Sequence, residues 1–166
     1  MSWSNGKPMV EDAYAQGKML DNSSWKLARG SSPCDADSVQ PVGGEPVQLP
    51  WMLDSHGCFI WAFIERGHAN PEWLSVGQRR VLSGLAKLPG NHACCVMKHN
   101  VPVTKQINTR HDIEEVCVVF DMGTRQHSID NSEWITFVES WARNAKTALD
   151  WLRSKANLAA TVEEMF

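Results

Sequence analysis

The sequence predicts an α/β fold: a mixed central sheet of about four strands with a β-α-β core, a long C-terminal helix and an extended N-terminal arm. Two apolar runs, 59–64 and 93–97, carry this prediction together with the helix signals between them. The C-terminal third adds apolar residues that recur with a helical period. Because both runs are apolar at every position, both faces of each strand should be covered.

The helix between the two runs is predicted to begin at Ser75 and to end before Pro89 and Gly90. Ser75 and Gln78 form a Ser-x-x-Gln capping box, in which the two side chains satisfy each other's free backbone N–H groups. The apolar stripe of this helix is predicted to be Val81, Leu82, Leu85 and Leu88. Two covered strands joined through a helix predict a parallel pair.

A third strand is predicted over residues 115–121, with 126–129 pairing back as an edge strand. The last helix is predicted to start after a cap at Asp130 or Ser132 and to run to about Lys155. Its apolar positions are Trp134, Val138, Trp141, Ala145, Ala148 and Leu152. The tail, 161–166, is predicted to fray.

The domain organisation predicted is an arm over residues 1–50 and a single α/β domain over 51–166. Gly, Ser, Pro, Asp and Asn dominate residues 21–50 and favour turns. Trp3 and Trp25 on this arm are predicted either to anchor it or to meet a protein partner. A length of 166 residues suits one domain with a core of its own.

Composition and charge limit the classes of partner and the cellular compartment that we expect for this protein. The formal net charge of −3 demands neither nucleic acid nor an anionic membrane. No apolar run approaches the ~18 residues that span a bilayer, so no membrane partner is expected. The five cysteines are odd in number, and Cys94 and Cys95 are adjacent. This pattern favours reduced thiols and a cytoplasmic location.

The order of strand, Glu, short loop, capped helix, Pro-Gly and buried strand resembles the core of PD-(D/E)XK nucleases, especially the small phage and bacterial forms. The matching pieces are Asp54, 59–64, Glu65, 73–80, 88–90 and 94–97. The resemblance implies hydrolysis of phosphodiesters in which Asp54 and Glu65 hold Mg²⁺ and the metal activates water. It gives Arg66, His68 and Gln78 supporting catalytic roles.

The triplet Glu65-Arg66-Gly67 departs from the pattern of that family, because Gly67 stands where the family has lysine. In the family the lysine positions water and stabilises developing charge. Arg66 or His68 would have to compensate, but an arginine cannot be deprotonated and has a different geometry. We therefore expect a degenerate site that is kept for binding nucleic acid, with a metal-dependent nuclease as the open alternative.

The charge distribution independently favours a polyanion surface. No Asp or Glu occurs from Trp73 to His111. Five cations in this stretch are predicted to contact phosphates: Arg79, Arg80, Lys98, Lys105 and Arg110. The competing interpretation is a solvated helix face followed by a polar loop. Trp73 is the lone aromatic residue that accompanies these cations, so the sequence does not indicate a single-strand stacking platform.

Two further interpretations concern zinc and a protein partner. His92, Cys94, Cys95 and His99 are zinc-type ligands, but alternate residues of a strand point to opposite faces and would not converge. The second function considered is a protein-interaction module that uses the N-terminal arm. It would be a phage accessory or inhibitory protein, or a component of a virion or other assembly, because Gly- and Ser-rich arms often order on a partner.

Overall fold

The structure is a computed structural model that describes residues 20–27, 47–53, 57–102 and 104–165, with the backbone alone for 47–53. Its elements are β1 (Leu20–Asp21), β2 (Val47–Leu53), β3 (Phe59–Arg66), α1 (Val76–Ala86), β4 (Ala93–His99), β5 (Ile107–Asn108), β6 (Glu115–Phe120), β7 (Arg125–Asp130), α2 (Asn131–Arg143) and α3 (Ala145–Met165). Single turns of 3-10 helix occupy Pro71–Trp73 and Asp121–Gly123.

The central sheet has the strand order β2-β3-β4-β6-β7. Strands β3 and β4 are parallel and are joined through α1, and the other neighbouring pairs are antiparallel. This confirms the α/β class and the mixed sheet. The sheet has five strands rather than about four, because β2 was not predicted. Pro50 interrupts the pattern of β2 and lies where its register with β3 shifts, as proline does on an edge strand.

Helices cover both faces of the sheet. Ile60, Ala62 and Ile64 of β3 belong to the large core beneath α2 and α3. The alternate residue Phe63 belongs to a smaller core that contains Leu82 of α1. Strand β3 therefore contributes to two cores, which explains why its sequence is apolar without alternation.

The apolar stripe of α1 differs from the predicted one. Leu82 and Ala86 are buried, whereas Val81 and Leu88 are exposed. The helix is turned so that Gln78, one turn before Leu82, also faces the sheet, where it bonds to β3. Gln78 thus forms a polar contact with the end of β3 from a position of α1 that the predicted apolar stripe would leave facing solvent.

The predicted last helix is two helices, α2 and α3, which are separated at Asn144. Asn144 has extended backbone angles (φ −164°, ψ 115°), and its Oδ1 accepts a hydrogen bond from the Thr147 N–H at 3.0 Å. Asn144 therefore caps the start of α3. The long C-terminal helix is confirmed as α3, which has 21 residues and continues to Met165 instead of fraying.

Trp25 anchors the short segment 20–27 to the domain. Its side chain is buried, and its Nε1 donates a hydrogen bond to Thr109 Oγ1 at 3.0 Å. Its ring meets Trp134 edge-on, with the centroids 6.3 Å apart. Trp3 lies outside the described residues, and the division at residue 50 stays a prediction, with β2 spanning it.

Two further features concern the described helices and cysteines. None of these helices is long and apolar enough to cross a bilayer. Cys94, Cys95 and Cys117 have free thiols.

Candidate functional site

Glu65 lies near the end of β3, on the face that α1 covers. Its Oε1 accepts a hydrogen bond from Gln78 Nε2 at 3.2 Å. The oxygen of the same amide accepts from the Ser75 N–H at 3.0 Å, and Ser75 Oγ accepts from the Gln78 N–H at 3.1 Å. The predicted capping box is therefore confirmed, and its glutamine also ties the helix start to Glu65.

His68 joins this cluster from the loop after β3. Its Nδ1 accepts a hydrogen bond from the Asn70 N–H at 3.1 Å, so Nε2 carries the proton of the neutral ring. Nε2 lies 3.9 Å from Glu65 Oε2. Both ring nitrogens thus face a partner within the protein, Glu65 on one side and the Asn70 N–H on the other.

The backbone explains why glycine occupies position 67. Gly67 has a φ of +86°, a conformation that side-chain-bearing residues rarely adopt. Its N–H donates a hydrogen bond to the His99 carbonyl oxygen at 2.8 Å, which holds the turn against β4. No atom would obstruct a Cβ here, so conformation and not space disfavours lysine. The departure from the nuclease pattern thus has a local structural cause.

Lys98 is the cation that the sheet places beside Glu65. The two residues are register partners across the parallel pair β3–β4, so their side chains leave the same face of the sheet. Lys98 Nζ also lies 3.9 Å from Glu114 Oε2. Sequence position gave Lys98 a phosphate-binding role, but only the strand pairing reveals its relation to Glu65.

A groove of about 460 Å³ opens next to this cluster. It is lined by Gly67, His68, Ala69, Asn70, Pro71, Trp73, Lys98, Glu115, Cys117, Gln126 and Ser128. The groove exists because α1 has only 11 residues and packs near β3 and β4, which leaves polar side chains of β6 and β7 uncovered. Sequence reasoning missed these β6 and β7 residues; the run of three polar residues at 126–128 was the available signal.

Trp73 stands at the rim of the groove with 69% of its surface exposed. Its ring centroid lies 5.3 Å from that of His68, at an interplanar angle of 59°. Its backbone is fixed by the 3-10 turn, in which the Trp73 N–H donates to the Asn70 carbonyl oxygen at 3.0 Å. The indole is therefore presented to solvent from a fixed backbone position.

The predicted phosphate-binding cations divide into two groups. Arg79 and Arg80 are exposed at the start of α1, directly after Gln78, and form no ion pair with other described residues. Lys105 and Arg110 lie on the segment between β4 and β6. Lys105 lines a second groove of about 420 Å³ there. The guanidinium carbon of Arg110 lies 5.8 Å from the Trp25 ring centroid, so Arg110 also packs against the anchored segment.

Arg66 does not join Glu65, His68 and Gln78. It follows Glu65 directly on β3, so its side chain leaves the opposite face of the sheet, where it is exposed. For Arg66 to lie beside the Glu65 carboxylate, the register of β3 would have to shift by one residue. Arg66 therefore contributes positive charge at the end of the strand rather than chemistry at Glu65.

The magnesium prediction depends on Asp54, which lies outside the described residues. Within the described ranges, no group of three or more His, Cys, Asp and Glu residues is placed to hold a metal ion. Gln78 turns its amide nitrogen to Glu65, and its oxygen accepts a hydrogen bond in the helix cap. The described residues alone do not assemble a Mg²⁺ site.

The thiol that lines the groove is not a nucleophile. Burial raises the pKa of Cys117 to about 11, and it raises the pKa of Cys94 to about 12. Both thiols stay protonated at neutral pH, and the reactive form of cysteine is the thiolate. Burial therefore disfavours the thiolate form of the cysteine that lines the groove, Cys117.

Comparisons with known proteins leave the assignment to the residues themselves. No protein-family model, curated protein or solved structure matches this chain. The resemblance to PD-(D/E)XK nucleases accordingly stays a prediction.

Proposed function

We propose that the protein binds nucleic acid through the end of the sheet where β3 and β4 finish. The contact surface, called here the cationic edge, comprises Arg79, Arg80 and Lys98, which lie on the side of the sheet that α1 covers. The observation that carries the proposal is the exposure of Arg79 and Arg80 at the start of α1 with no ion pair to other described residues. Exposed arginines of this kind are free to form forked hydrogen bonds to phosphate.

The local electrostatics support a polyanion at this edge. The first turn of α1 contains no acidic residue of its own, and the Glu65 carboxylate that lies beside this turn is bonded to Gln78 and not to Arg79 or Arg80. The whole chain is acidic, with a formal net charge of −3. Cationic side chains gathered beside a helix start therefore create a local attraction that the net charge hides.

The cluster at Glu65 supports binding rather than cleavage. Gln78 uses both ends of its amide on protein partners, and His68 faces Glu65 with one nitrogen and Asn70 with the other. In this proposal the cluster holds the start of α1, and hence Arg79 and Arg80, in place. A degenerate PD-(D/E)XK origin, of phage or mobile-element type, is consistent with this role.

Metal-dependent cleavage is the alternative form of the same proposal. In that case Asp54 and Glu65 would hold Mg²⁺, and cleavage of DNA or RNA would require Mg²⁺ or Mn²⁺ and be lost in Glu65→Ala. Cleavage that persists at full rate in Glu65→Ala would remove Glu65 from the chemistry. Binding without cleavage in either metal supports the degenerate form.

The test of binding compares two double variants that remove the same charge. Arg79→Ala/Arg80→Ala changes the cationic edge, and Arg143→Ala/Lys146→Ala changes exposed cations at the α2–α3 junction. We expect the first to weaken binding of fluorescein-labelled DNA or RNA at low salt by roughly tenfold or more, and the second by less than about twofold. Absence of binding by the wild type, or equal losses in both variants, would contradict the proposal.

A protein-interaction role is the second candidate, and one observation favours it. The last turns of α3 expose Leu158, Val162 and Met165, which lie on one helical face. An exposed apolar stripe of this spacing suits a groove on another protein. The arm was the surface first expected to bind a partner, and most of it lies outside the described residues. A pulled-down partner that Leu158→Ser/Val162→Ser releases, without nucleic-acid binding at low salt, would favour this role.

We infer a cytoplasmic location as part of this proposal. Cys94, Cys95 and Cys117 have free thiols, which suits a reducing compartment, and nucleic acid is accessible there.

A further inference from the structure

We propose that the groove beside Trp73 accepts one unpaired nucleotide of a single strand, with its base stacked on the Trp73 indole and its phosphates at Arg79 and Arg80. This inference rests on the proposed function and adds to it a preference for single-stranded over duplex nucleic acid.

Trp73 provides the stacking surface. An indole that is 69% exposed contributes little to the core, and the residue that follows it, Leu74, is the buried one. Asn70 caps the 3-10 turn by accepting the Glu72 N–H at 3.0 Å, and this fixes the backbone on which the indole stands. A rigid, exposed aromatic ring binds bases of any sequence through their flat faces.

The groove lining suits an uncharged polar ring. Asn70, Gln126 and Ser128 supply hydrogen-bonding groups without charge. Lys98 and Glu115 carry opposite charges, so the groove as a whole gives no strong preference for an anion or a cation. Its volume of about 460 Å³ lies in the range of ~300–1,000 Å³ typical of small-ligand sites. A nucleobase matches this combination better than a phosphate does.

The phosphates are accounted for outside the groove. Ser75, the cap of α1, follows Trp73 by two residues, and Arg79 and Arg80 lie within roughly 6–8 Å of axial rise from the start of the helix. In this proposal the phosphates next to the stacked base contact these two exposed arginines. A base inside a duplex would first have to leave its stack, which costs free energy.

Variants of Trp73 test the stacking contact directly. Anisotropy titrations with a labelled single strand and with the same sequence as a duplex would use wild type, Trp73→Ala and Trp73→Phe. We expect Trp73→Ala to weaken single-strand binding by at least about fivefold and duplex binding by less than about twofold, with Trp73→Phe close to wild type. Ser128→Leu, which places a larger apolar side chain in the groove, should also weaken single-strand binding.

The outcomes separate this inference from the proposed function. Binding that Arg79→Ala/Arg80→Ala weakens but Trp73→Ala does not would overturn the inference and leave the proposed function standing. Equal losses for strand and duplex would overturn it as well. Absence of binding to either would overturn both proposals. A mononucleotide, AMP or dTMP, that displaces the strand with equal affinity would assign the groove to free nucleotides and overturn the single-strand assignment.

Discussion

Gln78 joins the first turn of α1 to Glu65 at the end of β3. Its Nε2 donates to Glu65 Oε1 at 3.2 Å, while its Oε1 accepts from the backbone of the helix cap at 3.0 Å. One side chain therefore fixes both the start of the helix and the orientation of the carboxylate. The exposed arginines that follow Gln78 depend on this junction for their position.

The junction predicts that Gln78→Ala destabilises the fold by about 1–2 kcal/mol. The variant removes half of a capping box and the hydrogen bond to a half-buried carboxylate. Gln126→Ala is the matched control, because Gln126 is exposed on β7, and it should change the free energy of unfolding by less than about 0.5 kcal/mol. Urea denaturation followed by circular dichroism measures both. Equal stability of the two variants would show that the junction contributes nothing.

Substitution by alanine is expected to lower the free energy of unfolding much more at Trp25 than at Trp73. Trp25→Ala should cost about 3–5 kcal/mol, because it removes a buried ring from the core and leaves Thr109 without its indole partner. Trp73→Ala should cost less than about 0.5 kcal/mol, because the Trp73 ring is mostly exposed. Thermal and urea unfolding would measure the difference. A small loss for Trp25→Ala would contradict the anchoring of segment 20–27.

The buried thiols predict a loss of stability at alkaline pH. Burial raises the pKa of Cys94 from 9.0 to about 12 and that of Cys117 to about 11. Above pH 9 the unfolded chain loses these protons while the folded chain keeps them, so unfolding becomes easier as the pH rises. Each such thiol contributes a slope of about 1.4 kcal/mol per pH unit between the unfolded and folded pKa values.

Cys94→Ala isolates one of these contributions. The cavity it leaves lowers the free energy of unfolding at every pH, but the fall between pH 9 and pH 10 should be smaller than in wild type by about 1 kcal/mol. Urea titrations at the two pH values provide the comparison, under reducing conditions. An unchanged fall would mean that the Cys94 thiol ionises in the folded protein as readily as in the unfolded one.

Local sequence signals were sufficient for the β3-α1-β4 unit. Ser75 and Gln78 lie three residues apart, so the capping box can be recognised from the sequence alone. The break at Asn144 was not legible, because the apolar period continues in phase through it and the cap depends on the backbone turning there. Strand β2 was not predicted, because a proline such as Pro50 locally favours a loop. The strand forms because it pairs with β3, which the local sequence does not show.

The candidate site was predictable only in part. Glu65, His68 and Gln78 lie near one another along the chain, and the structure brings them together. The relation of Lys98 to Glu65 depends on the register of two parallel strands, which no local pattern specifies. The groove is also lined by β6 and β7. Their polar side chains could be assigned to a groove only from the structure, in which the short α1 leaves them uncovered.

The salt dependence of binding tests the central claim most directly. The observed binding constant for a labelled single strand would be measured over a series of salt concentrations for wild type, Arg79→Ala/Arg80→Ala and the control Arg143→Ala/Lys146→Ala. Each phosphate contact contributes about −0.7 to the slope of log K against log salt for single strands, so removing two arginines should make the slope shallower by about 1.4. The control should keep the slope of the wild type. A slope that is unchanged in Arg79→Ala/Arg80→Ala, or that becomes equally shallow in the control, would contradict the assignment of phosphate binding to the start of α1.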